Sequence, residues 1–428
     1  MNRPAFATPP MEPHRAQEIA ASFDLRALPG DFYADPYPVY DCLRTQQPVR
    51  PMPDGSWFLT RYADLVAVYR DDYNFSSDKR VEFAPKYHDS PLFEHHTTSL
   101  VFNDPPLHTR VRKLIMGALT RRAIAGMETD LVRLVDRLLD CIEANGGGDL
   151  VEDYASAIPV EVIGNLLGVP HADRAPLRGW SLAILGALEP ALTAAQESAG
   201  NRSVTGFLHY LRELVRERRQ RPGDPERDVL TRLIRGEAVD PGGKLSEPEL
   251  LHNCIFILNA GHETTTNLIA NALVSLHAWP DARRGLLSDM AAPSGAALDS
   301  RLDVAVDEFL RFEPSNQLGN RRALRECAVG GVPMPAGALV TLCIAAANRD
   351  PAQFANPNQL DLRRLDNRHL AFGFGIHQCA GLSLARLEGR IAIGRFLARF
   401  PDYRLTAQPQ RAARARFRGF MRAAFSIC

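Results

Sequence analysis

Ala371-Phe372-Gly373-Phe374-Gly375-Ile376-His377-Gln378-Cys379-Ala380-Gly381 sets one cysteine in a glycine-dense loop. The residues that follow, Leu382 to Phe400, carry the apolar spacing of an amphipathic helix. Cys379 therefore stands just ahead of a helix N-terminus, where unpaired N–H groups and the helix dipole favour an anion. That setting lowers a thiol's pKa and favours the thiolate, the form that binds metal. Gly373 and Gly375 permit a tight turn with positive φ, and Gly381 lets a flat ligand approach the backbone. The blander reading is a small buried hydrophobe, the common fate of a free cysteine. The loop has neither Gly-x-Gly-x-x-Gly spacing nor the Gly-Lys-Ser/Thr of a phosphate loop.

Taken whole, the stretch resembles the haem-binding signature of the cytochrome P450 family. Phe372, Gly375, Cys379 and Gly381 fall at the family's Phe-x-x-Gly-x-x-x-Cys-x-Gly spacing. The Cys-x-x-Cys-His of covalent haem attachment is absent. The resemblance implies haem b, held non-covalently with Cys379 as axial thiolate, and dioxygen as co-substrate. A thiolate ligand pushes electron density to the iron and favours O–O cleavage. It also implies a mainly α fold with a small β region, the family's triangular helical prism.

The rest of the chain is compatible. Its 50 basic and 50 acidic residues cancel, which argues against bulk nucleic-acid binding. Cys42, Cys141, Cys254, Cys327, Cys343, Cys379 and Cys428 have no paired spacing, so a reducing compartment is expected and no disulfide framework. No apolar run reaches membrane-span length and the first residues lack a signal-peptide core, so a cytoplasmic protein without membrane anchor is expected. No linker divides the chain. Residues 1–25, with Pro4, Pro9, Pro10 and Pro13, read as a flexible arm, and residues 26–428 as one haem domain.

Along the chain, helices are expected near Val39–Thr45 and Tyr62–Arg70, with a strand at Trp57–Thr60. Lys79 to Asn103 reads as an irregular loop in which His88, His95 and His96 are solvated. The next helix follows Asp104-Pro105-Pro106. His108 and Arg112 lie four apart on it and share a face. The similarity to the family's haem-contacting helix makes both donors to haem propionates, a charge-assisted bond. Further helices are expected at Ile124–Asn145 and Ser156–Leu167, then two within Ala172–Arg218 with a break near Ala199–Ser203. Arg212 to Arg221 reads as a solvated charged face.

Ser246 and Glu249 fit a capping box that opens a long helix, stopped at Trp279-Pro280. Its centre is poor helix. Gly261 costs roughly 1 kcal/mol against alanine. Thr264, Thr265 and Thr266 can bond back to earlier carbonyls, so a distorted centre is expected. His262-Glu263 is no zinc-protease motif, because Thr266 stands where the second histidine belongs. Ala260-Gly261-His262-Glu263-Thr264-Thr265 instead matches the family's oxygen-binding groove. By resemblance Ala260 and Gly261 border the cofactor, Gly261 opens space beside the iron, Thr264 donates a hydrogen bond at the oxygen site, and Glu263 relays protons from water. Protons must reach a dry pocket for the O–O bond to break heterolytically. Asn259 departs from the usual apolar residue, and is a candidate substrate contact.

Glu308 and Arg311 lie three apart, ordinarily a weak surface pair. In the family such a pair is buried and joined by an upstream arginine, here Arg364. Asn316 and Gln317, in the turn Pro314–Gly319, are candidate pocket residues. So is Phe420, read as a loop tip. Arg321 matches a propionate-binding arginine, with Arg322 left open beside it, and His377 matches a further propionate contact. The chain leaves no room for a fused reductase, so a separate ferredoxin-like or flavodoxin-like electron donor is expected. Arg110, Lys113, Arg121 and Arg122 are its candidate docking surface. The expected reaction inserts one oxygen atom into a small, largely apolar substrate by hydroxylation or epoxidation. A haem-thiolate peroxygenase or isomerase, or a non-enzymatic haem sensor, are the other readings.

Overall fold

A computed structural model describes residues 13–225, 228–235, 245–291 and 295–427. The helices that position the site are α1 (Pro13–Ser22), α2 (Tyr37–Gln46), α3 (Pro91–Thr98), α4 (Leu107–Ala118) and α5 (Arg121–Asn145). They continue with α6 (Ala157–Leu166), α7 (Ala175–Gly186), α8 (Ala194–Gln220), α9 (Glu247–Ala278), α10 (Ala296–Phe312) and α11 (Leu382–Arg399). The helical core is built around α9, against which α6, α7, α8 and α11 pack. Ile269, Leu273 and Leu276 of α9 are fully buried there, each stabilising by about 1.5–3 kcal/mol. The Ser246 hydroxyl accepts from the Glu249 N–H at 3.4 Å, and the Glu249 carboxylate accepts from the Ser246 N–H at 2.8 Å, which closes the expected capping box.

The β region is small. Strands β1 (Val49–Pro51), β2 (Trp57–Leu59), β3 (Phe75–Ser76), β4 (Leu318–Ala323) and β5 (Leu339–Cys343) form one sheet in the order β1-β2-β5-β4-β3. Only the β2–β5 pairing is parallel, with Trp57 opposite Val340. A separate hairpin, β6 (Gln410–Arg411) and β7 (Phe420–Arg422), closes the chain's end over the helices. The mainly helical architecture with a minor β part agrees with the expectation.

Four local expectations need correction. Residues 1–12 of the expected arm lie outside the described residues, but 13–22 form α1. Ala20 and Phe23 bury against Phe32, Tyr40 and Phe58, so this half of the arm is folded onto the sheet. Second, 79–103 is not irregular: it holds the helix Arg80–Tyr87 and α3, whose cap is the Ser90 hydroxyl accepting from the Phe93 N–H. His95 and His96 are buried at 2% and 1% exposure, with His96 packed on Phe83, Tyr87 and Phe102. Third, the break between α7 and α8 falls at 187–193 because Thr193 and Gln196 form a capping box. Gly200 lies inside α8, against Leu92 and Ala187. Fourth, α9 runs unbroken. The Thr264 and Thr266 hydroxyls bond back to the Ala260 and His262 carbonyls at 2.7 and 2.9 Å without ending the helix. In the charged run of α8, Arg216 pairs with Glu213 in solvent, but Arg218 turns inward to Asp228 and the Gly168 carbonyl.

Candidate active site

The cysteine loop is shaped by backbone positions that exclude side chains. Gly373 and Gly375 have φ of +65° and +73°. A Cβ on Gly375 would also collide with the Tyr69 carbonyl oxygen. The Cys379 N–H donates to the Phe372 carbonyl at 2.8 Å, which closes the turn and leads into α11 three residues on. The thiol is pushed up, not down. Burial raises it and outweighs the Gly381 N–H, Arg112 and Arg386, which favour the thiolate. The helix terminus alone therefore does not ionise Cys379, and a coordinating metal ion is what would. Phe372 packs beneath the Arg386 guanidinium, 5.0 Å from its ring centre.

On one side of this loop cationic and imidazole groups gather, with Asp104 the acidic group whose charge reaches His108 and Arg321. His108 is 2% exposed and neither of its ring nitrogens has a hydrogen-bond partner, nor has Nε2 of His377. The two rings lie 4.0 Å apart. Burial lowers both, and Arg112 and Arg321 lower His377 further. Arg112 donates to the Gln378 carbonyl at 2.7 Å. Arg321 donates to its neighbour's carbonyl and lies over Tyr69. Of the two adjacent arginines, Arg321 is the one whose charge is felt by His377 and His108. A Cβ on Gly381 would meet nothing within 4 Å. Unpaired buried nitrogens and two arginines around an open cradle, with a thiol beneath, fit a flat ligand that carries carboxylates. Haem satisfies that description.

Across the cradle, α9 presents Phe256, Ala260 and Thr264, spaced four apart and partly exposed although the helix runs through the core. Ser315 fixes the helix here by donating to the Thr264 carbonyl at 2.7 Å. Gly261 has another task than the one expected. A Cβ there would lie 2.6 Å from Ile163 Cδ1, so glycine serves the close approach of α6 and Ala260 is the residue beside the cradle. Glu263 is 5% exposed. Burial pushes its carboxyl up to about 7, against the pull of Arg414. Arg414 forms an ion pair with Glu263 Oε1, while Oε2 has no partner. Sequence reasoning missed Arg414, and no local motif marks it. Asn259 is 2% exposed, one turn before Glu263 and off the Phe256–Ala260–Thr264 line, with both amide atoms unpartnered.

Glu308 and Arg311 are fully buried and bidentate, at 2.7 and 2.8 Å, and Arg364 joins Glu308 at 3.1 Å. Arg311 also donates to the carbonyls of Asn348, Pro357 and Gln359, so the group ties α10 to the segment before the cysteine loop. Asn316 is half-buried with Oδ1 unpartnered, bridged to Phe417. Gln317, just before β4, is 1% exposed and turned inward, its amide donating to the Pro314 carbonyl and lying beside Tyr37. Phe420 is no loop tip. It is buried in β7 beneath Arg411, and Arg414 to Phe417 form the tip. Of the expected docking residues, Arg110 pairs with Glu249, whereas Arg121 and Arg122 are exposed at the start of α5.

Residues 192–421 match the family model described as Cytochrome P450. The chain is 38% identical to "Vitamin D(3) 25-hydroxylase" of Pseudonocardia autotrophica over 88% of its length and 89% of the relative. It is also 38% identical to "Cytochrome P450 monooxygenase PikC" of Streptomyces venezuelae over 90% of its length and 89% of the relative. The crystal structure of P450BioI in complex with a hexadec-9Z-enoic acid-ligated acyl carrier protein superposes with a TM-score of 0.85 at 30% identity. It covers 93% of this chain and 100% of that one.

Proposed function

The chain belongs to the cytochrome P450 family and is a monooxygenase; on that premise we propose that it binds haem b on Cys379 and oxidises a small, largely apolar organic molecule with electrons from a separate donor. The observation that carries the haem assignment is the pair of unpartnered imidazoles, His108 and His377, set with Arg112 and Arg321 around the cradle beside Cys379. These four would hold the propionates, and the Cys379 sulfur would hold the iron. When bound, the haem supplies the redox chemistry that activates dioxygen.

The chain's own part is positioning and proton supply. Thr264 offers a hydroxyl on the open side of the cradle and keeps it oriented through the Ala260 carbonyl. Glu263, pushed up to about 7, exchanges a proton near neutral pH. The apolar side chains around Phe256 and Ala260 exclude water from competing chemistry. Among the described residues no helix is long and apolar enough to cross a membrane. The reading places the enzyme in the cytoplasm with a separate ferredoxin-like or flavodoxin-like electron donor.

Titrating the purified holoprotein with terpenoids, fatty acids, aromatics and macrolides tests the substrate class. A tight change in the haem spectrum with one class identifies it, and product formation must then require the electron donor. Silence from every free ligand while haem is bound would contradict a free small substrate and point to a carrier-bound one. Turnover with peroxide alone, and none with the donor, would replace the monooxygenase reading by the peroxygenase one.

A further inference from the structure

Arg414 is placed where three parts of the protein meet. It lies on the tip between β6 and β7. One guanidinium nitrogen, Nη1, donates to Glu263 Oε1 on α9. The other, Nη2, donates at 3.0 Å to the Leu182 carbonyl in the last turn of α7. A Cβ on Gly186 would come within 3.1 Å of Nη2, so that turn is bare where the arginine lies. The tip is itself held to the segment after α7: the Glu189 carboxylate accepts from the Ala415 and Arg416 N–H groups at 2.8 and 3.1 Å.

We propose that Arg414 is a positioning residue for Glu263, one that sets the ionisation of this acid and ties it to the placement of α7. The inference rests on Glu263 acting as the proton-handling acid of the site. Oε1 is occupied by the guanidinium, so the proton is taken up and released at Oε2, which is buried and bare. The charged and titratable groups that face Glu263 are few. Arg414 comes from the hairpin tip, Arg178 from α7, and Glu189 from the segment after it. His262, next to it on α9, is held neutral by burial, down to about 4. Glu189 opposes ionisation of Glu263, and Arg178 spends its two terminal nitrogens on Glu152. Arg414 is thus the dominant group that keeps the acid ionisable. Displacing α7 removes the Leu182 carbonyl that aims the guanidinium. A shift of α7 is thereby read out as a change in the acid's proton affinity.

Infrared spectroscopy of the resting holoprotein tests this without turnover. The protonated carboxyl band of Glu263 is identified by its loss in Glu263→Gln and followed against pH. In Arg414→Met the titration midpoint should rise by about one pH unit or more, the size of effect an adjacent opposite charge has on a carboxyl. Arg414→Lys should bring it most of the way back. Hydrogen exchange across 175–186 should quicken in the Met variant. An unmoved midpoint in a Met variant that binds haem normally would overturn the proposal. Unchanged exchange would overturn the link to α7. If Arg414→Met fails to fold, Arg414→Gln and Arg414→Lys carry the same comparison. Wild-type protein that binds haem but oxidises nothing would overturn the proposed function instead, because the carboxyl band needs no substrate, electron donor or product.

Discussion

At the residue scale, ionisation follows the surroundings of each group more than its residue type. Cys379 is the sharpest case. Burial raises the thiol in spite of two arginines and a helix start. A Cys379→Ser variant should therefore lose the thiolate-ligated carbon monoxide difference spectrum altogether while keeping its helical circular dichroism, because the side chain makes no structural ion pair. Arg321 and Arg322 offer a second test. Arg321 lies beside the unpartnered His377, and Arg322 sits in register opposite Leu339 and Ser76. Arg321→Ala should weaken haem retention, measured by transfer to apomyoglobin, by tenfold or more, on the order of 1.4 kcal/mol for one charge-assisted contact. Arg322→Ala should change it far less, and equal losses would reverse the assignment.

At the scale of elements, close packing is what the glycines and the buried triad provide. Gly261 lets α6 lie against α9, where Ile163 fills the space a side chain would need. Gly261→Val would press into that contact, and overpacking of this kind costs about 1–3 kcal/mol. The expected result is a lower midpoint in thermal unfolding, with Ile163→Ala in the same chain restoring part of it. Glu308, Arg311 and Arg364 join α10 to the stretch that precedes the cysteine loop. Removing one member leaves buried charge uncompensated, a loss of about 3–5 kcal/mol. Glu308→Ala and Arg311→Ala should yield protein with little bound haem, checked by the ratio of haem to protein absorbance. Normal haem content in either variant would show that the group is not what holds the loop.

At the scale of the whole molecule, the chain's two ends are clamped by charge. Arg418, on the hairpin near the C-terminus, donates to the Tyr33 and Ala34 carbonyls near the N-terminus and pairs with Glu313 after α10. Burial would raise the Glu313 carboxyl, but Arg418, Arg411 and Arg349 overcome it and hold it down at about 2, from an ordinary value of 4.5. A carboxyl depressed in the folded state contributes its stability in full above the unfolded pKa and loses it as pH falls through the folded one. The Glu313 contribution, on the order of 3 kcal/mol, should therefore be complete above about pH 4.5 and disappear towards pH 2. Denaturant midpoints measured across that window should fall steeply with acid in the wild type and more shallowly in Glu313→Gln. Parallel slopes would show that the carboxyl titrates alike in both states.

The sequence by itself determined what depends on spacing along the chain. The cysteine loop, the capped helix α9, the Glu308–Arg311 spacing and the His108–Arg112 face are all local patterns, and each stands where its pattern put it. Positive φ at Gly373 and Gly375 was legible for the same reason. Only the tertiary structure decided which partners come from far along the chain. Arg414 reaches Glu263 across 151 positions, and no period or motif carries such a pairing. Burial also needs three dimensions: His95 and His96 look like loop polar residues until α3 packs His95 against His252 and His96 against Phe83 and Phe102. Strand register seats Phe420 under Arg411, and the Pro314 carbonyl draws Gln317 inward, because a side chain's direction follows from its register and its partners. Gly261 is the same case: its motif was plain, but the space it leaves is taken by Ile163, a neighbour that only packing could name.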